Sequence, residues 1–265
     1  LEHQFKLSKQ SFLGWFKDYI KKIAITFLLA LIIVECVYKF IGLFYNSWWI
    51  CASILWLVIT VFFAKVFPVI ILPLFFKSHH LSEGVLKDRL GNLAKKFNFR
   101  LSDILVLELS KKTIKANALV AGIGNTKRIY LSDTLLNDFS NDEIEVIIAH
   151  ELTHDKNKDI YKNIIVAFAV SLICFYLCDL FLSRSIEYFG YFGKDDIANL
   201  PIFSLLISSV GLIALPFQNS YSRFLEKNAD IGSIKTTDKA NDFILMITEL
   251  GHKNLAEFSP NRIVY

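Results

Sequence analysis

Four long apolar runs constrain this chain more than any other feature. Residues 23–45, 47–76, 163–183 and 197–217 are each at least as long as the roughly 20 residues that cross a bilayer. Only Asn46 and Ser47 separate the apolar cores of the first two, which predicts a tight transmembrane hairpin. Tyr45, Trp48 and Trp49 at that turn suit an interfacial aromatic belt, and Pro68 and Pro73 mark the end of the second span or a kink in it. The last two runs predict a second hairpin. The fold class expected is a predominantly α polytopic membrane protein with about four spans and a small α+β domain outside the membrane.

Composition agrees. Of the 265 residues 54% are hydrophobic and only 20% are charged, which excludes a disordered chain. A collagenous or solenoid chain is unexpected with 11 Gly, 5 Pro and no visible repeat. A net charge of +4 is too mild for a dedicated nucleic-acid binder, so no nucleic-acid partner is expected. Cys36, Cys51, Cys174 and Cys178 all sit in apolar runs without a CxxC and read as packing or lipid-facing residues. The only Met is Met246 and the chain opens at Leu1, which predicts further sequence upstream. The Lys-bearing first twenty residues do not read as a signal peptide.

The polar segments divide the chain into an arm (1–22), a hairpin (23–76), an α+β part (77–162), a second hairpin (163–217) and a helical tail (218–265). Residues 82–98 have amphipathic helical patterning, 104–109 and 127–133 read as strands, and Gly122-Ile123-Gly124-Asn125 is a turn signal. Residues 141–160 begin with helix-start residues, Asn141, Asp142 and Glu143. Lys and Arg are carried by the arm, the α+β part and the tail, which places these together on the cytoplasmic side.

On that side lies His150-Glu151-Leu152-Thr153-His154, an HExxH. One helical turn apart, the two imidazoles share a face and can hold one zinc, with Glu151 beside the metal to act on a bound water. Shuffling a chain of this composition gives the pattern about once in 180 chains, so the context has to carry it. A zincin needs a third protein ligand, and none follows at HExxHxxGxxH spacing. Glu226 and Asp230, again at i,i+4, offer one: Glu226 as ligand, Asp230 orienting a ligand histidine. On spacing alone Glu226 is as readily a solvated helix-face residue. Glu35 and Lys39 are charges inside the first span and are expected to pair with each other. Lys65 and Asp179, near span ends, are expected to snorkel. His79 and His80 read as interfacial, His252 as a neighbour of a helix C-cap, and His3 carries no information.

ANALVAGIGNTKRIYLSDTLL (116–136), HELTH (150–154) and SRFLEKNAD (222–230), in that order, resemble the integral-membrane zinc metalloproteases of the CAAX prenyl protease type 1 family. The opening EHQFKLSKQSFLGWFKDYIKK is also similar to a loop of that family, so the resemblance covers nearly the whole chain. It implies peptide hydrolysis with one zinc per chain, held by His150, His154 and Glu226. Glu151 would be the base, Asp230 a supporting catalytic residue, and Asn117 and Ala118 would bind substrate backbone at a strand edge. Without the resemblance, Asn117 reads as a turn or strand-end residue. The implied partners are a protein or peptide substrate, prenylated or not, and the lipid bilayer. The implied location is a bacterial inner membrane, or the endoplasmic reticulum in a eukaryote, with the site facing the cytoplasm.

The departures are specific. Thr153 stands where the family often has Gly, and Asp159 where a second motif has His; neither is expected to be a ligand. Four spans against the family's seven, and an end at Tyr265 before a His-Pro of the family, predict truncation at both ends. Two rivals remain. One is an HtpX-like quality-control metalloprotease, against which the 127–136 run and the opening loop weigh. The other is a non-catalytic membrane scaffold, against which an intact Glu151 weighs.

Overall fold

The computed structural model describes residues 8–122, 127–253 and 255. Nine α-helices and four strands are found among them. They are α1 (Phe12–Leu43), α2 (Trp48–Val66), α3 (Leu72–Phe75), β1 (Ser78–His80), α4 (Val85–Lys96), β2 (Asp103–Leu107), β3 (Ala118–Ala121), β4 (Arg128–Ser132), α5 (Asp133–Asp138), α6 (Asn141–Lys156), α7 (Asp159–Phe189), α8 (Leu200–Thr237) and α9 (Ala240–Lys253). The kink expected around Pro68 is a π-helical turn, Phe67–Ile71, between α2 and α3. The chain divides into two compact units. One holds the residues up to Trp15, Ala64–Asp159 and the chain from Leu225; the other holds Phe16–Phe63 and Ile160–Phe224.

The second unit is the membrane part. Four helices are long and apolar enough to cross a bilayer, and in the most apolar stretch of each at most 11% of residues are buried by protein. Lipid is therefore the medium that these side chains fit. What core there is joins Val37 and Ile41 of α1, Trp48 and Ala52 of α2, Cys174, Cys178 and Leu182 of α7, and Phe203 of α8. Cys174 and Cys178 thus pack inside, as expected of apolar cysteines.

Three expectations are corrected in this unit. Trp48 is fully buried, not in an interfacial belt; its ring packs against Phe175 and Phe203. Its indole N–H donates to Asp179 Oδ1 at 2.6 Å, and Lys194 Nζ meets the same oxygen at 2.7 Å. Asp179 therefore does not snorkel. It is the acceptor of an internal polar cluster, in which Lys194 is 4% exposed and lies 4.5 Å over the Tyr45 ring. Glu35 and Lys39 do not pair: both are exposed, and no ion pair joins them among the described residues. Val37 and Ile41 take the buried stripe of α1, and Glu35 and Lys39 lie ~200° of helix away from Val37, on the outer face.

The first unit is α+β. Its sheet has the order β1-β2-β4-β3, with β2 and β4 parallel and both outer pairs antiparallel. β1 and β3 are therefore edges. Two strands, three and four residues long, were not foreseen. His79 and His80 fall on β1, exposed, with His80 Nδ1 2.8 Å from Asp103 Oδ2. Gly122, at φ 108°, opens the turn expected after β3; residues 123–126 of that turn lie outside the described residues, as does His3.

The apolar faces of α4, α6 and α9 and one face of the sheet close a core around Leu90, Leu93, Ile129, Leu131, Ile148 and Leu152. Burying each such Leu or Ile side chain contributes about 1.5–3 kcal/mol. α6 starts at a capping box: Ser140 Oγ accepts from Glu143 N–H, and the Glu143 carboxylate accepts from Ser140 N–H at 2.8 Å. Arg89 of α4 and Lys239, just before α9, both reach Asp142 and Glu145 on α6, at 2.5–2.7 Å. The Lys239 and Arg89 contacts hold the Asp142 carboxyl down at about 2. Glu145 is lowered too, because the same two cations outweigh its burial. These contacts fix the register of the helix that carries HExxH.

Candidate metal centre and active site

His150 and His154 project from the last two turns of α6, and Glu226 and Asp230 from the part of α8 that belongs to the same unit. His150 Nε2 and His154 Nε2 are 3.2 Å apart. Glu226 Oε2 lies 3.2 Å from the first and 3.6 Å from the second. The other ring nitrogens face carboxylates: His150 Nδ1 is 2.9 Å from Asp230 Oδ1, and His154 Nδ1 is 2.9 Å from Asp159 Oδ2.

This pattern has a chemical consequence. An imidazole that donates its Nδ1–H to a carboxylate presents a lone pair at Nε2. Two such lone pairs and a carboxylate oxygen then point at one another, an arrangement that repels itself unless a cation sits between them. The three donors lie within 4.8 Å of one another, the only such group of three among the described residues. Two imidazoles, one carboxylate and an orienting carboxylate behind each imidazole make a set that a tetrahedral divalent ion fits. Without an ion, burial opposes charge on His150. Asp230, Glu151 and Glu226 overcome it and raise its affinity for a proton.

Asp159 was missed as a supporting group by sequence reasoning. α6 ends at Lys156, and Lys158 adopts a left-handed conformation, φ 58°. That residue reverses the chain and brings Asp159, only 3% exposed, back under His154. Its position next to a helix end gave no periodic signal.

Glu151 turns the other way, toward β3. Burial pushes its carboxyl above the usual range; the two imidazoles and a hydrogen bond from the Val120 amide offset part of that. Asn117 and Ala118 lie beside it, at the start of β3. Ser132 N–H donates to Asn117 C=O at 2.9 Å, and Ser132 Oγ accepts from Asn117 N–H at 3.0 Å. In an antiparallel ladder the bonded positions alternate, so Leu119 and Ala121 bond β4 while Ala118 and Val120 turn their amides to the open edge. A cavity of about 230 Å³ runs from this edge past His150 and Glu151 and is walled by Leu135, Ile147, Met246 and Leu250. His79, His80 and His252 are exposed and are not among the converging donors.

The sequence profile described as Peptidase family M48 matches residues 80–251, and one described as CAAX prenyl protease N-terminal, five membrane helices, matches residues 1–77. The chain is 31% identical to the Bacillus subtilis protein named uncharacterized metalloprotease YhfN, over 98% of this chain and 62% of that protein. It is 29% identical to the human CAAX prenyl protease 1 homolog, over 93% of this chain and 60% of that one. The crystal structure of Ste24p from S. mikatae superposes with a TM-score of 0.85 at 24% identity, over 99% of this chain and 65% of that one. The chain thus spans about three fifths of the length of these curated relatives. Its fold is that of a polytopic membrane protein of the Ste24p type. On the match over residues 80–251, the chain belongs to peptidase family M48.

Proposed function

We propose that this protein is a membrane-embedded, zinc-dependent metalloendopeptidase that processes protein C-termini in the manner of the CAAX prenyl proteases. The convergence of His150, His154 and Glu226, each imidazole backed by a carboxylate, carries the reading. These three residues would hold the zinc. A bound ion would supply Lewis acidity, to polarise the scissile carbonyl and acidify a water. Glu151 takes the proton of the attacking water and returns it to the leaving amine, a role its raised carboxyl suits. Asp230 and Asp159 keep the imidazoles in the tautomer that leaves Nε2 unprotonated. Asn117 and Ala118 receive an extended substrate along the edge of β3, and the neighbouring cavity takes an apolar side chain. The Lys and Arg placement supports a site that faces the cytoplasm.

The test is metal content and peptide cleavage by detergent-purified protein. Wild type should carry one zinc per chain. Glu226→Ala should lose most of it. Glu151→Gln should keep the zinc and lose about 10²–10⁴-fold in cleavage rate. A zinc-free wild type, or an active Glu151→Gln, overturns the reading. Zinc without cleavage in the wild type favours the scaffold instead. Equal cleavage of prenylated and unprenylated peptides favours an HtpX-like protease.

A further inference from the structure

The ligands of the candidate centre come from two helices, α6 and α8, and something must set their separation. Thr153, between His150 and His154, is 4% exposed and donates its hydroxyl to Ala149 C=O at 2.7 Å. That bond fixes its side chain, and its Cγ2 occupies the space beside Gly232 of α8. A Cβ on Gly232 would overlap Thr153 Cγ2 and lie 2.9 Å from Oγ1 and 3.2 Å from Cβ. Ordinary carbon–carbon contact is at about 3.5–4.0 Å, so any side chain at 232 would have to move the helices apart by about 1 Å. Rotating Thr153 gives no relief, since it brings the hydroxyl into the same space and breaks the bond to Ala149. Glycine inside a helix costs about 1 kcal/mol relative to Ala, and no left-handed backbone calls for one here.

We infer that Thr153 and Gly232 are a size-matched pair of positioning residues, which sets the reach of Glu226 and Asp230 to the two imidazoles. The inference rests on the metal-centre reading above. Gly232 is six residues beyond Glu226, ~9 Å along the helix, and two beyond Asp230. Neither Gly232 nor Thr153 offers a donor to the ion. Metal sites tolerate shifts of only about 0.2 Å in ligand distance, so a 1 Å separation at this crossing is felt by the donors.

The experiment measures zinc affinity by chelator competition, and melting, on the whole purified chain. Gly232→Ala should bind zinc at least about tenfold more weakly. Thr153→Ala alone should stay within about threefold of wild type. The double variant, in which the overlap is reduced to the 3.2 Å contact, should recover most of the loss. Should Gly232→Ala fail to fold, the double variant must restore both folding and zinc. A folded Gly232→Ala with wild-type affinity overturns the inference while leaving the metal reading intact, as does a folded double variant that binds no better than the single. A wild type that binds no zinc overturns the metal reading and this inference with it.

Discussion

The two units are held together by opposite means. In the membrane unit, apolar side chains need no burial by protein, since lipid is as good a partner as Leu, and the spans are almost bare. Its internal order is carried by a small aromatic core and by one polar cluster, Trp48, Asp179 and Lys194. In the α+β unit a continuous core joins α4, α6, α9 and one face of the sheet, and protein rather than lipid covers it. The comparison teaches where each unit is vulnerable: the first at a few polar contacts, the second throughout its core.

The largest effect should come from breaking the buried pair. Lys194→Met leaves the Asp179 carboxylate without its cation and should cost about 3–5 kcal/mol. Asp179→Asn added to it should return much of that, because no uncompensated charge remains. Detergent unfolding of the single and double variants checks this. If the single variant melts like wild type, the cluster does not organise the membrane unit.

The same truncation placed in each unit sharpens the contrast. Leu152→Ala, at a fully buried position in the α+β core, should cost about 2–5 kcal/mol. Leu212→Ala, 67% exposed on α8, should cost well under 1 kcal/mol in detergent, where the removed atoms leave no cavity. Comparable losses at the two positions would erase the distinction.

A smaller effect is expected at the candidate centre. Asp159→Asn removes the carboxylate behind His154 without removing a donor to the ion. Zinc affinity should fall about 10–100-fold, read by chelator competition. An unchanged affinity would leave Asp159 a helix-start residue only.

The smallest effect concerns acid. The folded pKa of Asp142 lies below its ordinary 3.8, at about 2, so its contribution is present above the ordinary value and is lost as pH falls toward 2. Glu145 is lowered as well and acts in the same direction. Protection of the first turns of α6 against hydrogen exchange, taken relative to the intrinsic rate at each pH, should therefore fall over that interval in wild type. In Lys239→Ala the same interval should show a weaker change.

Much of this was legible in sequence because it is local. Each span is a continuous run, and HExxH is complete within one helical turn. The carboxylates at 226 and 230 were legible only as candidates, since spacing does not say which helix a side chain faces. What escaped is what depends on distant chain. Asp179 meets Trp48 across 131 positions, and its place near a span end read as snorkelling. β1 and β3 are too short for alternation to show. Thr153 and Gly232 carry no pattern; only the approach of two helices gives them meaning. Asp159 needed the reversal at Lys158.

The open edge of β3 has one more consequence. It is four residues long and turns only Ala118 and Val120 outward, and the amide of Val120 is already engaged by Glu151. Used as proposed, so short a rim asks little of an incoming chain's identity and much of its shape. A helix or hairpin, whose backbone groups already satisfy one another, has nothing to offer it. Loose tails and unravelled ends do, so on that reading the gatekeeper would be the disorder of the client rather than its spelling.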